Sequence, residues 1–425
     1  MIRQKRRVYL DYAATTPLDA GVERAMRPFY SSAFGNPGSV HWFGQQASAA
    51  VFGARQMIAR ALGADYKEII FTGSATEANN LALRGVLVCA LQNQRRLSPA
   101  ESRASALAPM LRPRSETKPS GLRDVLQDTT LAHPLKIITS AIEHESVLKT
   151  ARDLENNGLE VVYIPVDREG AINLKKLEAA LDERTILVSI QYANSEMGAI
   201  QPIQEIGKII SNFRGQKKYP LFHTDATQAF QFLKCDVNEL EVDMLTLSAH
   251  KIYGPKGIGA LYVRHSDLLS SQITGGGQEQ GFRSGTENVP AIVGFGKAVE
   301  ITERVRNKES GRLKKLRDQL WDGLQKIVPD VALNGSVTER LPNNLNVYFP
   351  GRSAQDLCIE LDLGGLSVSP GTACSSRTTQ PSYVIEALEQ GGDRPSSSIR
   401  FSLGRPTTAA DIDAALTILK QRFKK

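Results

Sequence analysis

The sequence predicts an α/β fold, with a mostly parallel sheet in a large domain and a smaller α+β domain after it. Short apolar or β-branched runs alternate with helical stretches, and five of these runs span residues 136–139, 160–164, 185–190, 220–223 and 243–247. Strands that are apolar along their whole length are typical of a parallel sheet covered by helices on both faces. From about Lys297 the chain changes to a long charged helix, predicted over residues 301–327, and then to short strands and helices.

The chain before these units begins with an extended segment at residues 9–18 and a helix predicted at 45–61. The apolar run 69–72 is predicted to be a strand that leads through the small residues of 73–80 into a second helix. Free backbone N–H groups and the helix dipole converge at such a helix start, which makes it a suitable anion site. The alternative is an ordinary strand-to-helix turn in which Thr76 caps the helix.

Residues from about 91 to 134 differ from their surroundings, because five prolines, two adjacent arginines and many Ser and Ala residues interrupt any periodicity. We interpret them as an inserted, partly disordered surface segment between a helix and the next strand. A tolerated insertion is favoured over a dedicated binding arm. The large domain is predicted to span residues 20–290 with this insert, and the small domain to combine residues 1–19 with residues 291–425.

The composition of the 425 residues is that of a soluble globular protein, with 41% hydrophobic and 23% charged residues. The net charge of +7 comes from basic residues that are scattered and have few aromatics among them, which argues against direct nucleic-acid binding. No apolar run is long enough to span a bilayer, so no membrane association is expected. The four cysteines form no CxxC pair and no metal-ligand spacing, which indicates reduced thiols and no metal site. The basic N-terminus has no apolar segment behind it, so we expect a cytoplasmic protein without a removable targeting peptide.

Lys251 lies at a turn directly after a predicted buried strand. A lysine in that place is poorly hydrated, so its neutral, nucleophilic form is favoured. Schiff-base formation with an aldehyde cofactor requires such an amine. Ser248 and His250 on the same turn can donate hydrogen bonds to an anion such as a phosphate. The alternative is an ordinary exposed loop lysine.

Polar clusters follow several of the predicted strands, at residues 143–144, 194, 225–228 and 248–251. Because ligands bind beyond the carboxyl ends of the strands in such sheets, we expect these clusters to share one rim. A carboxylate such as Asp225 keeps the ring nitrogen of a pyridinium cofactor protonated, which makes the ring an electron sink. Gln228 can donate to the ring oxygen, and His144 can stack on the ring or transfer protons. The alternatives are that Asp225 is a helix N-cap and that His144 is a satisfied turn histidine.

Taken together, ten motifs make the chain resemble the cysteine desulfurases of the NifS/IscS-like branch of the pyridoxal-phosphate-dependent class V aminotransferases. The motifs are YLDYAATT at 9–16, TE at 76–77, EH at 143–144, NSEMG at 194–198, DATQ at 225–228, SAHKIYGPKG at 248–257, GGGQE at 275–279, RSGT at 283–286, ACS at 373–375 and SIRFSLGR at 398–405. The resemblance covers nearly everything except the segment near 91–134. The order Gly73-Ser74 departs from the Ser-Gly order that is usual in the phosphate loop of this family.

The resemblance implies a fold of type I, with a seven-stranded sheet in the large domain, and pyridoxal 5'-phosphate as cofactor. Lys251 is expected to form the Schiff base, and Asp225 to pair with the ring nitrogen. Gln228 is expected to bond the phenolic oxygen, and His144 to stack on the ring. The residues expected to hold the phosphate are Ala75, Thr76, Ser248, His250 and, from the other subunit of a homodimer, Thr286.

By the same resemblance the substrate is L-cysteine, and Asn194 and Arg400 bind its carboxylate. Lys251, His144 and Cys374 are the expected catalytic residues, and the sulfur becomes a persulfide on Cys374. A scaffold or carrier protein then receives it for iron–sulfur cluster assembly or tRNA thiolation. The alternatives are a selenocysteine lyase or another class V enzyme with this fold, and a non-catalytic basic binding protein that keeps the fold.

Overall fold

The structure is a computed structural model that describes residues 6–97, 134–371 and 380–423. Most of the predicted insert at 91–134 lies outside these ranges, as does Cys374 with the residues around it.

The strands are, in chain order, β1 (Val8–Tyr9), β2 (Ile69–Thr72), β3 (Lys136–Ser140), β4 (Glu160–Ile164), β5 (Thr185–Ser189), β6 (Leu221–Asp225), β7 (Met244–Ser248), β8 (Gly259–Val263), β9 (Ala332–Leu333), β10 (Asn344–Tyr348), β11 (Leu366–Ser367) and β12 (Ser398–Ser402). The α-helices are α1 (Ala20–Met26), α2 (Pro28–Ser31), α3 (Trp42–Leu62), α4 (Ala75–Leu97), α5 (Glu145–Asn156), α6 (Leu174–Ala180), α7 (Ile203–Arg214), α8 (Val289–Ile327), α9 (Ala354–Gly364), α10 (Tyr383–Glu386) and α11 (Ala409–Phe423).

The large sheet contains seven of the described strands in the order β2-β8-β7-β6-β5-β3-β4. Strands β3 to β7 pair in parallel, whereas β8 runs antiparallel to both β2 and β7. The predicted fold class, a mostly parallel seven-stranded sheet, is therefore confirmed. Strand β8 at residues 259–263 is not predicted from the sequence, because so short an apolar run directly after a Gly/Pro-rich turn gives no clear strand pattern.

Helices cover both faces of this sheet, as its apolar strands require. Along β8, Leu261 and Val263 belong to the core cluster beneath α4 and α5, and Ala260 and Tyr262 belong to the cluster beneath α3 and α8. This alternation follows from the two-residue period of a strand. With both faces covered, the strand ends are the part of the sheet that remains available for a ligand.

Two helices have other limits than the sequence predicts. Helix α4 continues to Leu97, and Leu91, 3% exposed, packs in the same core cluster as Leu87. The prediction that the helical pattern ends at about residue 91 is therefore wrong, because the apolar face of the helix is still buried there. Helix α8 begins at Val289 instead of residue 301, because its first turns are apolar and buried and only its later part carries the charged pattern.

A smaller α+β arrangement follows the large sheet. Strands β12, β10 and β9 form an antiparallel sheet in that order, and the N-terminal β1 pairs with β11, with Val8 opposite Leu366. The N-terminal segment thus joins the C-terminal elements, as expected. One core cluster runs from the large sheet through α8 into β10, β12 and α11. The boundaries of the two domains stay a prediction.

No helix in the described ranges is long and apolar enough to cross a membrane. At one edge of the large sheet, β6 ends at Asp225 and β7 ends at Ser248, and a single 3-10 turn, Ala249–Lys251, follows β7. Strand β12 of the smaller sheet carries Arg400. The fold therefore places groups from both sheets beside one another.

Candidate active site

The side chains predicted to be functional meet around one cavity with a volume of about 200 Å³. The predicted residues that line it are Ala75, Thr76, His144, Asp225, Gln228, Ser248, His250, Lys251 and Arg400. Ala13 and Ala14 of the N-terminal segment also contribute to the wall. The expected convergence at the carboxyl ends of the strands is confirmed for His144 and for the clusters at 225–228 and 248–251, whereas Asn194 does not line the cavity.

Lys251 is half-buried at the end of the turn after β7, so it is not an ordinary exposed loop lysine. Its Nζ donates to the carbonyl oxygens of Ala13 at 2.6 Å and Ala14 at 2.8 Å. Gln228 Nε2 also donates to the Ala13 carbonyl, at 3.0 Å. These bonds orient the lysine amine towards the cavity and hold the N-terminal segment over it.

His250 precedes the lysine and is neutral at physiological pH. Burial, followed by the positive charges of Lys251 and Lys256, lowers the pKa of His250 to about 4. Its Nδ1 lies 3.1 Å from Thr15 Oγ1, and its carbonyl accepts from Thr16 Oγ1 at 2.9 Å. A neutral imidazole still has one N–H, so it can serve as a hydrogen-bond donor without bringing a charge into the cavity.

Asp225 ends β6 and is 7% exposed. Its Oδ1 accepts from the backbone N–H of Thr227 at 2.9 Å, and its Oδ2 accepts from Asn79 Nδ2 at 2.8 Å. Asp225 therefore caps a turn instead of the helix that the alternative interpretation expects, and it also presents a fixed carboxylate to the cavity.

His144 is the N-cap of α5, and its Nδ1 accepts from the Ser146 backbone N–H at 3.1 Å. Burial is the largest cause that lowers its pKa, and the Lys251 charge adds to it against the opposing charge of Asp225. His144 is thus a satisfied turn histidine that also lines the cavity. The two interpretations of the sequence are compatible.

The start of α4 forms the anion-binding end of the cavity. The first N–H groups of a helix have no acceptor within the helix, and here Ala75 and Thr76, the first residues of α4, line the cavity. The capping side chain is Ser74, because its Oγ accepts from the Glu77 N–H at 3.1 Å, whereas Thr76 is exposed. Thr76 as the cap is therefore wrong. A Cβ at Gly259 would lie 2.6 Å from the Ser74 carbonyl carbon, so only glycine lets this turn approach the start of β8 so closely.

Arg400 lies at another side of the cavity and is 2% exposed. Its Nη2 donates to Asp11 Oδ1 at 2.7 Å, and its Nη1 donates to the Ser195 carbonyl at 3.0 Å. Its Nε has no acceptor among the described residues. A buried guanidinium held in this way is suited to bind a carboxylate.

Three predicted site residues are not among the described residues that line the cavity. The Asn194 amide binds neighbouring backbone, donating to the Ile142 carbonyl at 2.9 Å and accepting from the N–H groups of Glu196 and Met197. Thr286 is exposed, and Cys374 lies outside the described residues. The roles assigned to these three stay predictions.

Several residues around the site are missed by the sequence interpretation. Asn79, Ser146 and Asp11 bind the predicted residues directly, and each lies in or beside a quoted motif. Glu143 is fully buried, and burial raises its pKa to about 8, while its Oε1 accepts from the Gln191 N–H at 2.8 Å. The contacts of Asn79, Asp11 and Glu143 have partners in other parts of the chain, so no local pattern identifies them, whereas the contact of Ser146 with His144, two residues away, is local.

A family model described as aminotransferase class-V matches residues 8–108 and 124–415. The chain belongs to the class-V aminotransferase family. Within this family it is similar to cysteine desulfurase IscS of Dictyoglomus turgidum, with 43% identity over 99% of this chain and 95% of that relative.

The chain is also similar to solved structures over nearly its whole length. One described as a NifS-like protein has a TM-score of 0.81 and 33% identity, and covers 98% of this chain and 99% of its own. Another, SspA in complex with cysteine, has a TM-score of 0.71 and 33% identity, and covers 93% of this chain and 98% of its own. The predicted family, the cysteine desulfurase enzyme class and the dependence on pyridoxal phosphate are confirmed.

Proposed function

We propose that this enzyme removes the sulfur of L-cysteine at the cavity described above and leaves L-alanine and a persulfide on Cys374. The observation that carries the proposal is that Lys251, Asp225 and Arg400 line the same cavity. A nucleophilic amine, a buried carboxylate and a buried guanidinium are the groups that cofactor attachment, ring protonation and amino-acid binding require. SspA, a similar protein, has been solved with cysteine.

The chemistry of the cavity wall fits pyridoxal phosphate. The start of α4, Ser248 and His250 supply N–H and O–H donors for a phosphate, and Asp225 at another part of the wall is a fixed acceptor for a protonated ring nitrogen. We assign Lys251 to covalent attachment, Gln228 to the phenolic oxygen and His144 to the ring face. When bound, the cofactor supplies an electron sink for the charge left at the substrate Cα when its proton departs.

Substrate binding is assigned to Arg400 and Asn194. The Arg400 guanidinium is oriented by Asp11 and the Ser195 carbonyl, so the carboxylate of cysteine meets donors that are already in place. Asn194 Nδ2 uses one of its two hydrogens on the Ile142 carbonyl. Asn194 does not itself line the cavity, so we assign it to holding the loop beside Arg400, with a second amide hydrogen that the same carboxylate can accept.

The amine of Lys251 takes the proton from the substrate Cα. The thiolate of Cys374 then attacks the substrate sulfur, so that an S–S bond forms while the bond between sulfur and Cβ breaks. The electron pair of the broken bond stays with Cβ, which gains the proton released by the Cys374 thiol, and the proton held by Lys251 returns to Cα. L-cysteine and the Cys374 thiol thereby give L-alanine and the persulfide without an external oxidant or reductant.

A homodimer is supported by exposed apolar side chains on α2, on α3 and between them. They are Tyr30, Phe34, Val40, Trp42, Phe43, Phe52 and Met57. The Phe43 ring contacts those of Phe34 and Trp42, and a group of exposed apolar side chains of this kind indicates a protein–protein interface. We propose that Thr286, also exposed, reaches the phosphate site of the other subunit. Delivery of the sulfur to an acceptor or scaffold protein for iron–sulfur cluster assembly or tRNA thiolation, and a cytoplasmic location, complete the proposal.

The test is an assay of alanine and sulfide formation with L-cysteine and, separately, with L-selenocysteine, each in the presence of a reductant that releases the persulfide. Alanine should form from L-cysteine in the wild type and not in the Lys251→Ala variant. Turnover of selenocysteine alone would replace the proposed substrate, and an absence of alanine from both would refute the proposed function.

A further inference from the structure

Asn79 is wholly buried in α4, and its amide nitrogen contacts two parts of the site. Nδ2 lies 2.8 Å from Asp225 Oδ2 and 2.8 Å from Ser146 Oγ. The amide oxygen Oδ1 is buried and has no donor among the described residues. A buried amide oxygen without a donor is destabilising. The two hydrogen bonds of the amide nitrogen offset that cost, which shows that the contacts of the nitrogen decide how this side chain is placed.

The direction of each hydrogen bond follows from Asp225. A carboxylate only accepts, so Asn79 Nδ2 donates one hydrogen to it and its other hydrogen to Ser146 Oγ. The Ser146 hydroxyl keeps its own hydrogen, and the nearest acceptor is His144 Nδ1 at 2.8 Å. The Ser146 backbone N–H donates to the same nitrogen at 3.1 Å.

His144 Nδ1 therefore accepts two hydrogen bonds and has no room for a proton. In the neutral imidazole the proton must then lie on Nε2. A ring in this tautomer donates a hydrogen bond through Nε2, and it takes up a proton only at Nδ1, where Ser146 already donates. As long as Ser146 donates to Nδ1, His144 can serve as a stacking group and a hydrogen-bond donor but not as a base.

We propose that Asn79 is a positioning residue that holds the Asp225 carboxylate directly and, through Ser146, fixes His144 in the tautomer with its proton on Nε2. The inference rests on the proposed function for the roles of Asp225 and His144. It connects two of the assigned roles, because one amide nitrogen binds the carboxylate assigned to the ring nitrogen and also, through Ser146, positions the imidazole assigned to the ring face.

The first experiment reads the tautomer by nitrogen NMR of the holoenzyme with labelled histidines, in the absence of cysteine. The His144 signals are assigned from a His144→Gln variant. The wild type should show a protonated Nε2 and an unprotonated Nδ1. The Ser146→Ala variant keeps the backbone N–H donor to Nδ1 but loses the hydroxyl, so its Nδ1 signal should shift towards that of a nitrogen with one hydrogen bond fewer, and Ser146→Thr, which keeps the hydroxyl, should restore it. A protonated Nδ1 in the wild type would overturn the proposal.

The second experiment measures the affinity for pyridoxal phosphate, and it separates the contact of Asn79 with Asp225 from its contact with Ser146. Asn79→Ala removes a hydrogen bond from the Asp225 carboxylate, and it should bind pyridoxal phosphate about tenfold more weakly. Ser146→Ala should leave the affinity near that of the wild type, because Asn79 still holds Asp225. Asn80→Ala is the matched control, since Asn80 lies on the same helix and binds Thr76, Arg84 and Thr150 but neither Asp225 nor Ser146.

Unchanged His144 signals and unchanged affinity in the Asn79→Ala variant would refute the inference, as would an equal loss of affinity in Asn80→Ala. Neither readout depends on turnover. An enzyme that forms alanine normally but fails these tests refutes this inference alone. An enzyme that passes them but forms no alanine from L-cysteine refutes the proposed function alone.

Discussion

Replacing Arg400 with lysine keeps the positive charge and removes the planar fork of donors. The guanidinium is 2% exposed and makes two charge-assisted bonds, to Asp11 Oδ1 at 2.7 Å and to the Ser195 carbonyl at 3.0 Å. A single ammonium cannot keep both bonds and also bind a substrate carboxylate through two parallel donors. At least one charge-assisted bond to the substrate is lost.

A hydrogen bond to a charged group contributes about 1.5–3 kcal/mol. The Arg400→Lys variant should therefore lose about 10–150-fold in kcat/KM for L-cysteine, and most of the loss should be in KM. The matched control is Arg405→Lys, since Arg405 stacks on Tyr253 at 4.1 Å from the ring centroid and does not line the cavity. Its KM should stay close to that of the wild type.

The assay is sulfide release in the presence of a reductant, from L-cysteine and, as the comparison substrate, from cysteamine, which lacks the carboxylate. The wild type should prefer cysteine strongly, and Arg400→Lys should reduce that preference because only the substrate with a carboxylate loses a contact. A folded, cofactor-loaded Arg400→Lys variant with an unchanged KM and an unchanged preference would refute the assignment of Arg400 to the carboxylate.

The Lys251→Ala variant should form no borohydride-reducible adduct with pyridoxal phosphate, and an adduct that persists would identify another lysine. Asp225→Ala should slow exchange of the substrate α-hydrogen with solvent on the order of a hundredfold at full cofactor occupancy, and near-normal exchange would contradict its role. Burial lowers the pKa of His223 from 6.5 to about 4. Between these pH values the unfolded chain takes up a proton that the folded chain does not, so this group makes the free energy of unfolding fall as the pH falls. Denaturant titrations should show that the free energy of unfolding decreases less with falling pH in His223→Gln than in the wild type. An equal decrease in the two proteins would contradict this reasoning. Deletion of residues 100–130 should leave soluble, active enzyme, whereas loss of soluble protein would mean that this segment packs against the rest of the chain.

The sheet is predictable from the sequence wherever burial on both faces leaves an apolar run. Strand β8 is missed because it is short and follows a Gly/Pro-rich turn, and its antiparallel direction depends on pairing with β2 and β7. The start of α8 is missed because its first turns are apolar, whereas the charged pattern begins only later. These errors concern element limits and not the architecture.

The residues around the cavity are predictable for a different reason. Asp225, Ser248 and Lys251 each follow the end of a predicted strand, and parallel strands bring such ends to one edge. The pairing of Arg400 with Asp11 is not predictable, because the two residues lie 389 positions apart and meet only after two sheets have formed. The contacts of Asn79 are of the same kind, since both its partners come from other elements.

The central claim is that the sulfur of L-cysteine passes to Cys374 in a reaction that requires Lys251. Peptide mass mapping after brief exposure of the wild type to L-cysteine tests it most directly. The added sulfur should appear on the peptide that carries Cys374 and should be absent in the Lys251→Ala variant. Sulfur on Cys89, Cys235 or Cys358 instead, or persulfide that still forms in a Cys374→Ser variant, would contradict the account.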